Sequence, residues 1–428
     1  MGDSQFIAKD LIVDDPSKDD FKIHGSVYVD PEIFEAEIDK IFHRSWLYLA
    51  HESQIAHPND YLTAYLGREP VILCRDDQGK IRCFLNRCRH RGTLICRSWQ
   101  GNSSRFRCIF HGWSYRNDGT LIGVPGRQGY PDDFEMDELG LVEVPRIGTY
   151  KGFIFASLTQ DVPSLSDHLG NTKHFIDLLV DRYPEGIEIA KGAHRYSIRS
   201  NWKLQAESEL DFYHGPFLHK GFFDAIGEKE ALRLDLRDKI FAIYLGRGHA
   251  IDVHHKGSDY YGLSIPLASD EELEKRLGPI GSKWSKEIIG FHMFVFPNLI
   301  IYGDHPCPMI ETIRPVSVDD TEVVSVTYVP KGDDQARQEY IKKCQLVFST
   351  TLGPAGMVTQ DDAAVIKLQM DGQSAKSAPW NDLSRGIHRE LKRAAIREFS
   401  DFEAMGRGTD DTLYRGIYRW WAKSLSQK

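Results

Sequence analysis

The sequence predicts an α+β protein of two domains, a small antiparallel β domain followed by a larger domain built from an antiparallel sheet and helices. The chain has 428 residues, more than one hydrophobic core usually accommodates. From about residue 47 to 160, short β-forming runs alternate with Gly, Asp and Asn turns, a pattern typical of small antiparallel domains. Beyond this region strand-like runs mix with longer helical segments, as they do in α+β folds.

The individual elements follow from local patterns. Asp30 is suited to cap a helix that begins at Pro31, because proline is favoured at the first helical position. The first domain contains the strand-like runs YLTAYL, PVILCR, IRCFLN and GFIFASL. The second domain contains KIFAIYLG, FHMFVFPNLIIYG and EVVSVTYVP, and its apolar residues from Gln335 to Thr350 recur at helical spacing.

Composition and charge exclude several classes of protein. Hydrophobic residues make up 41% of the chain, and 53 basic against 62 acidic residues give a net charge of −9. This charge offers no extended basic surface for nucleic acid. No stretch approaches the roughly 20 apolar residues that span a bilayer, and the start, MGDSQFIAKD, lacks the pattern of a secretory signal. We therefore expect a cytoplasmic protein that binds neither nucleic acid nor membrane.

The cysteines are clustered, which indicates metal or redox chemistry. Five of the seven lie between residues 74 and 108, and a disulfide framework is improbable in a long cytosolic chain. The seven are Cys74, Cys83, Cys88, Cys96, Cys108, Cys307 and Cys344.

The first metal motif consists of Cys88-x-His90 and Cys108-x-x-His111, in which each arm offers one thiolate and one imidazole. A Rieske [2Fe-2S] cluster needs two Cys on one iron and two His on the other, so two matching loops suit it. The alternative is a structural zinc site, but zinc fingers usually group their Cys pair apart from their His pair. The other clustered cysteines have no paired histidine, and we expect them to be packing residues.

The second motif, Asp211-x-x-His214 followed by His219, predicts a mononuclear metal site. Asp211 and His214 are three residues apart, so we expect them on one helix face, with Pro216 kinking or ending that helix. Two histidines and one carboxylate form the facial arrangement of Fe(II) oxygenases, which leaves positions open for oxygen. The segment LGPAGMVTQDDAAV offers Asp361 or Asp362 as the carboxylate.

These motifs, taken in order, resemble those of the aromatic ring-hydroxylating dioxygenase large (alpha) subunits, which are Rieske non-haem iron proteins. The matching segments are His90-Arg91-Gly92, His111-Gly112-Trp113-x-Tyr115, Asn201-Trp202-Lys203 with Glu207, Asp211-x-Tyr213-His214-x4-His219, Gly353-Pro354-Ala355-Gly356 before Asp361-Asp362, and Arg415-Gly416-x-Tyr418-Arg419. Ser208 stands where many relatives have asparagine.

The resemblance implies a role for each motif residue. It implies that Cys88, His90, Cys108 and His111 hold a [2Fe-2S] cluster. It further implies that His214, His219 and Asp362 hold Fe(II), with Asp361 as the alternative to Asp362. Asp211 corresponds to the aspartate that connects an iron-ligand histidine to a cluster-ligand histidine of the neighbouring subunit. By the same comparison Leu210, Leu352 and Val358 line the substrate pocket, although core packing explains them equally well.

The resemblance also implies an architecture and an assembly. Residues 1–45 would form an N-terminal segment that packs on the catalytic domain, and residues 46–160 a Rieske domain. Residues 161–428 would form a catalytic domain of helix-grip type, an antiparallel sheet with helices, that holds the mononuclear iron. A relay through a neighbouring subunit implies a homotrimer, or an α3β3 assembly with a small beta subunit.

The implied activity is that of a terminal oxygenase. Electrons from NAD(P)H would arrive through a reductase, with or without a ferredoxin, and activate O2 for cis-dihydroxylation of an aromatic compound. A salicylate-hydroxylase-like monohydroxylase and a demethylase are alternatives with the same motifs. A non-catalytic zinc-binding or electron-transfer protein is an alternative of another class, for which Asp211 and the second metal motif would have no use.

Overall fold

The computed structural model describes residues 8–227, 232–237, 240–255, 269, 271–272, 274–275, 288–303, 308–332, 335–392 and 402–426. The chain divides into two compact units, which are described separately below. One unit is Phe42–Leu165, and the other combines Met1–Ile41 with Ser166–Lys428. The predicted boundaries, at residues 45 and 160, lie a few residues from these divisions.

The N-terminal segment forms a hairpin and two short helices. Strands β1 (Ile12–Asp15) and β2 (Asp20–His24) pair antiparallel. Helix α1 (Ser26–Val29) precedes α2 (Pro31–Glu37), and the carboxylate of Asp30 accepts a hydrogen bond from the backbone amide of Glu32 at 2.8 Å. This confirms the predicted helix start, because the Asp30 side chain satisfies an amide that has no partner within the helix.

The unit Phe42–Leu165 is built from three small antiparallel sheets. Its strands are β3 (Leu47–His51), β4 (Asp60–Leu66), β5 (Glu69–Arg75), β6 (Ile81–Leu85), β7 (Gln100–Asn102), β8 (Arg105–Arg107), β9 (Ser114–Arg116), β10 (Leu121–Gly123), β11 (Arg146–Tyr150) and β12 (Phe153–Ser157). The sheet orders are β6-β5-β4-β7, β10-β9-β8 and β11-β12-β3. All four runs that were predicted as strands in this region form strands.

Six of the seven cysteines lie in the described part of the chain, and all six are free and buried. Cys74 and Cys96 belong to the hydrophobic core of the first unit, and Cys83 is 1% exposed. Their burial agrees with the expected role in packing. Cys307 lies outside the described residues.

The second unit contains a ten-stranded antiparallel sheet. Its strands follow the order β13-β20-β19-β18-β17-β16-β15-β23-β22, and β14 also pairs with β20. The strands are β13 (Ile187–Ile189), β14 (His194–Ile198), β15 (Phe241–Gly246), β16 (His249–His255), β17 (Ile288–Val295), β18 (Leu299–Gly303), β19 (Met309–Ser317), β20 (Asp320–Pro330), β22 (Leu391–Lys392) and β23 (Ala404–Arg407); β21 (Trp380–Asp382) pairs with β2. The predicted run FHMFVFPNLIIYG forms a hairpin that turns at 296–298. It contains most of β17 and all of β18.

Helices accompany this sheet, as the α+β prediction requires. They are α3 (Leu165–Leu169), α4 (Thr172–Asp181), α5 (Trp202–Ser208), α6 (Gly215–Leu218), α7 (Lys220–Ile226), α8 (Leu234–Arg237), α9 (Gln335–Val347), α10 (Met357–Gly372) and α11 (Thr412–Leu425). Helix α5 packs on β19 and β20, α10 packs on α5, and α11 packs on β15, β16 and β23. Within the described residues, no helix combines the length and apolar character needed to cross a membrane.

The strand register creates one polar stripe across the sheet. Asp252 on β16 lies opposite His292 on β17, and His292 lies opposite Tyr302 on β18. On the next strand pair, Glu311 of β19 lies opposite Ser325 of β20. Paired residues in an antiparallel sheet project to the same side, so this stripe belongs to one face.

Candidate metal centres

Two loops of the first unit present the Cys and His residues in matching conformations. The backbone amide of Gly92 donates to the carbonyl of Cys88 at 2.9 Å, and the amide of Gly112 donates to the carbonyl of Cys108 at 3.0 Å. Both glycines have a positive φ, 76° and 74°, which a residue with a Cβ rarely adopts. Each loop therefore turns tightly enough to bring its cysteine and histidine to the same side.

The four side chains converge from the two loops. Cys88 and Cys108 are 1% and 2% exposed, and the rings of His90 and His111 lie 4.6 Å apart between centroids. The ring of His90 stacks on Trp113 at 5.0 Å, which fixes its orientation. The Nδ1 atom of His90 is buried and accepts or donates no hydrogen bond among the described residues. An imidazole nitrogen in this state is available to a metal ion.

Tyr115 supports the first loop from inside the core. Its hydroxyl lies 3.5 Å from the sulfur of Cys88 and accepts a hydrogen bond from the backbone amide of Arg89 at 3.1 Å. Tyr115 is fully buried, and burial together with the neighbouring Cys88 thiol raises its pKa, so the hydroxyl stays protonated and able to donate. A hydroxyl placed beside a ligand sulfur tunes the electronic properties of a bound cluster.

The spacing within this set differs from that of a site for a single ion. Four ligands bound to one tetrahedral zinc at about 2.0–2.3 Å would lie within about 4 Å of one another. Among the described residues, the set of ligand atoms that all lie within 4.8 Å of one another is formed by His214, His219 and Asp362, and not by the two loops. The loop residues fit a group larger than one ion, as a two-iron cluster is.

The second set lies in the other unit and has the geometry of a single-ion site. The Nε2 atoms of His214 and His219 are 3.1 Å apart. The Oδ1 atom of Asp362 lies 3.4 Å from the Nε2 of His214 and 3.1 Å from that of His219. Two imidazoles and one carboxylate thus converge on one point, which is the donor set of a facial Fe(II) site.

The electrostatics of this set favour a positive charge. Burial lowers the pKa of His214, but the neighbouring carboxylates of Asp211 and Asp362 outweigh it and raise that pKa to about 10. Burial raises the pKa of Asp362, but the two histidines lower it overall. A site that attracts a proton this strongly also attracts a metal cation, which replaces the proton on the imidazole.

Asp361 and Asp362 differ in position. Asp362 reaches both histidines, and its side chain is 14% exposed. Asp361 approaches only the Nδ1 of His219, at 3.5 Å, and its side chain is 45% exposed. Both lie on α10, whose N-terminal turn follows the Gly353–Gly356 segment; Gly353 has no room for a side chain, since a Cβ would lie 1.9 Å from the carbonyl oxygen of Phe348.

The local backbone around the histidines corrects one expectation. Asp211 and His214 do not share a helix, because α5 ends at Ser208 and residues 209–214 form turns and bends. Pro216 does not end a helix; it stands in the first turn of α6, where its missing N–H has no intrahelical partner to lose. Asp211 organises the turn instead, since its Oδ1 accepts the backbone amides of Tyr213 at 2.6 Å and His214 at 3.2 Å.

Asp211 also faces the metal-binding set directly. Its Oδ2 lies 3.5 Å from the Nδ1 of His214, on the side of the ring away from Asp362. The Asp211 side chain is 32% exposed, so part of the carboxylate faces outward. Asp211 thus orients His214 through the side chain and the backbone together.

The three residues expected to line a pocket occupy different environments. Leu210 is 1% exposed and lies two residues beyond the end of α5. Val358 lies in the first turn of α10 and is partly exposed. The side chain of Leu352 lies outside the described residues. Ser208 is the last residue of α5, and its carbonyl accepts the amide of Asp211 at 3.2 Å.

The structure explains two of the motifs that resemble the family, the one that begins at Asn201 and the one that begins at Arg415. Their spacing in the sequence did not reveal these roles. Lys203 Nζ donates to buried Glu37 at 2.6 Å, and the indole nitrogens of Trp202 and Trp421 donate to the same carboxylate at 2.8 and 2.6 Å. This network joins α2, α5 and α11. No sequence signal connects Glu37 to residues 165 or more positions away.

The C-terminal motif, from Arg415 to Arg419, also joins elements through buried polar contacts. The hydroxyl of Tyr418 donates to Glu207, which also accepts from the hydroxyl of Tyr28 at 3.0 Å. Arg415 forms a buried ion pair with Glu390 at 2.6 Å. Gly416 has no side chain because the ring of Tyr244 packs against its Cα. These contacts hold α11 against the sheet and α5.

Comparison with known proteins gives two family matches. Residues 45–143 match the Rieske [2Fe-2S] domain, and residues 190–427 match the ring hydroxylating alpha subunit (catalytic domain). The chain is 33% identical to the toluate 1,2-dioxygenase subunit alpha of Pseudomonas putida, over 97% of this chain and 93% of that protein. It is 30% identical to the 2-halobenzoate 1,2-dioxygenase large subunit of Burkholderia cepacia, over 98% and 92%.

A solved structure shows the same fold. The naphthalene 1,2-dioxygenase of Rhodococcus sp., solved with bound indole, superposes with a TM-score of 0.84 at 28% identity and covers 94% of both chains. These matches confirm the α+β fold class and the two expected cofactors, a [2Fe-2S] cluster in the first unit and mononuclear iron in the second. The chain is a terminal oxygenase, and it belongs to the ring-hydroxylating dioxygenase alpha subunits.

Proposed function

We propose that this protein cis-dihydroxylates an aromatic compound, with both oxygen atoms of the product taken from one O2. The observation that carries the proposal is the convergence of His214, His219 and Asp362, with ligand atoms within 4.8 Å of one another, in a chain that also has Rieske loops. When bound, the iron supplies the centre at which O2 is reduced, and the cluster supplies electrons one at a time.

In this proposal the iron ligands are His214, His219 and Asp362. The choice of Asp362 over Asp361 is supported by its distances of 3.4 and 3.1 Å to the two histidines and by its low exposure. One carboxylate and two imidazoles leave one side of the ion open. Substrate and oxygen would approach from that side.

The proposed cluster ligands are Cys88, His90, Cys108 and His111. Support comes from the burial of both sulfurs, from the unpartnered Nδ1 of His90, and from a spacing too wide for one ion. Gly92 and Gly112 shape the loops so that their backbone amides lie near the ligand residues. A zinc site would require a tighter set.

Asp211 is the proposed positioning residue for electron transfer. It holds the ring of His214 from the side opposite Asp362, and its partly exposed carboxylate is free to reach a histidine of a neighbouring subunit. This role requires an assembly of several copies, and we propose a homotrimer or an α3β3 complex. A bridge of this kind orders both imidazoles and shortens the path between them.

A partner reductase, with or without a ferredoxin, is the proposed electron donor. The segment from Arg87 to Arg116 contains seven arginines and no acidic residue, against a net charge of −9 for the whole chain. A basic region around the cluster loops suits an acidic partner that must approach the cluster closely.

The test is product analysis under labelled oxygen. Purified protein is supplied with NADH, a reductase and ferredoxin, 18O2 and a panel of substituted arenes, and products are identified by mass spectrometry. A cis-dihydrodiol with two labelled atoms is the expected product. A phenol with one labelled atom, or an N-dealkylated product without ring oxygenation, would replace the proposal with monohydroxylation or demethylation.

A further inference from the structure

A buried carboxyl group lies in the second unit without a partner for one of its oxygens. Glu311 of β19 is 3% exposed. Its Oε1 accepts hydrogen bonds from the hydroxyls of Ser325 and Tyr196, the latter at 3.4 Å. Its Oε2 is buried and accepts no hydrogen bond from any residue that the structure describes.

A second carboxyl group stands close by. Glu209, which directly follows α5, accepts from the side-chain amide of Gln205 at 2.6 Å and from the hydroxyl of Tyr302. The negative charges of Glu311 and Asp362 both contribute to raising the pKa of Glu209, and the charge of Asp362 contributes to raising the pKa of Glu311. Within the described part of the chain, no Lys or Arg pairs with either glutamate.

The position of this pair relates it to the proposed iron site. Glu311, Ser325 and Tyr302 lie on the sheet face whose register forms the polar stripe, and α5 covers β19 and β20 there. Asp362 reaches the same region from α10, which packs on α5. Both glutamates are close enough to Asp362 for its charge to contribute to raising their pKa values.

The energetics of the pair are unfavourable in isolation. Burial raises the pKa of Glu311 to about 7, although the hydroxyls of Ser325 and Tyr196 lower it, and burial and the neighbouring acids raise the pKa of Glu209 well above its ordinary value. With pKa values raised in this way, both carboxyl groups tend to hold a proton, and a cation placed beside them would favour the charged form instead. A bound iron offsets the charge of Asp362 but leaves Glu311 Oε2 without a partner among the described residues.

We propose that Glu311 Oε2 accepts a hydrogen bond from a protonated amino group on the substrate, so that the natural substrate is an aminoalkyl arene. The inference rests on the proposed function and narrows its substrate class. A protonated amine supplies both the missing donor and the missing positive charge. A carboxylate would bring a third negative charge beside Asp362, and an unsubstituted hydrocarbon would leave Oε2 without a partner.

The test compares ligands of one shape and different charge. Benzylamine, toluene and benzoate are titrated into the anaerobic holoenzyme by calorimetry, with no electron donor present, so that only binding is measured. Benzylamine is expected to bind about tenfold or more tightly than toluene, and benzoate most weakly, as expected for a charge-assisted hydrogen bond. No detectable binding of benzylamine, or affinity equal to or below that of toluene or benzoate, would overturn the inference.

Two variants localise the effect. Glu311→Gln keeps the shape but removes the charge, and it is expected to reduce the benzylamine-to-toluene affinity ratio to near one. Glu322→Gln is the control, because Glu322 pairs with Arg314 at 3.4 Å and lies on the opposite face of the same sheet. This variant should keep the wild-type ratio. An unchanged ratio in Glu311→Gln, in protein whose thermal midpoint and visible spectrum match those of the wild type, would refute the assignment of Glu311.

The outcome is separable from that of the proposed function. Tight benzylamine binding without dihydroxylated product would support the site and reject the reaction. Dihydroxylation of arenes with preferential binding of benzoate would support the reaction and reject the amine. The binding order and the product thus report on different claims.

Discussion

Asp211 combines two tasks in one carboxylate. Its Oδ1 closes the turn before His214, and its Oδ2 faces the Nδ1 of that histidine at 3.5 Å. Asparagine keeps an oxygen for the turn but removes the negative charge, whereas alanine removes both. Comparison of the two variants therefore separates the support of the turn from the electrostatic role.

We predict that Asp211→Ala and Asp211→Asn keep both metals but lose about 100-fold or more in turnover, because a charge that orients a metal-bound imidazole is lost. In single-turnover experiments the chemically reduced cluster should stay reduced after O2 and substrate are added. Asp224→Ala is the control, since Asp224 is an exposed neighbour on α7 that pairs with Lys220. Normal turnover in Asp211→Asn would refute the proposal that Asp211 connects His214 to a histidine of a neighbouring subunit.

At the residue scale, motif spacing indicated His214 and His219 as one metal motif and offered Asp361 or Asp362 as the carboxylate. It did not distinguish Asp361 from Asp362, which are neighbours on one helix; the distances to His214 and His219 separate them. Glu311 could not have been identified in advance. A glutamate in an alternating strand pattern looks like a surface residue, and only the register and the cover by α5 show that it is buried.

At the element scale, buried Glu37 holds three helices together. Its carboxylate accepts from Lys203 and from two tryptophan indoles, which belong to α5 and α11. Burial lowers the pKa of Lys203 while the charge of Glu37 raises it, so Lys203 depends on Glu37 to remain protonated. Loss of Glu37 would leave a buried cation without a partner.

We predict that Glu37→Ala destabilises the protein by about 3–5 kcal/mol, because removal of one partner from a buried ion pair leaves the other uncompensated. Glu35→Ala, an exposed position on the same helix, should change stability by less than about 0.5 kcal/mol. Denaturant titration followed by circular dichroism measures both. Equal stability of the two variants would show that Glu37 does not join the helices.

Glu207 gives the protein a predicted pH dependence. Burial raises its pKa to about 7 in the folded protein, partly opposed by hydrogen bonds from Tyr418 and Tyr28, from an ordinary value of 4.5. The folded state therefore favours the protonated carboxyl, so this contribution to stability is full below pH 4.5 and is lost as the pH rises to about 7. The thermal midpoint of unfolding should decrease as the pH is raised from 5 to 8. Glu207→Gln should make this decrease smaller. An identical slope in the variant would contradict the assignment.

Element boundaries were predictable where capping chemistry is local, as at Asp30 and Pro31. They were not predictable around Pro216, because proline both breaks helices and begins them, and the choice depends on the Asp211 turn. The single run from β17 to β18 was also ambiguous. Its apolar residues suit one long strand, whereas the antiparallel pairing of β17 with β18 shows a hairpin.

At the scale of the whole molecule, the two metal centres belong to separate compact units of one chain. The proposed electron path joins the cluster of one copy to the iron of another. Such a path cannot be derived from one chain, because no sequence pattern identifies the neighbouring copy. It can be tested by mixing chains that lack different centres.

We predict that His111→Ala and His214→Ala, each inactive alone, restore partial activity when coexpressed with different affinity tags and purified as mixed assemblies. The first variant keeps a functional iron site, and the second keeps a functional cluster. Transfer between copies would pair them within one assembly. Mixed assemblies that contain both metals but remain inactive would show that the electron path lies within each chain.

The most direct test of the two metal centres is the iron and acid-labile sulfide content of anaerobically purified protein, measured with its visible spectrum. We expect about three irons and about two sulfides per chain in the wild type, with a Rieske-type spectrum. For His214→Ala we expect about two irons, about two sulfides and the same spectrum. Zinc without sulfide in the wild type, or a His214→Ala variant that loses the cluster and keeps its mononuclear iron, would contradict the assignment of the two centres.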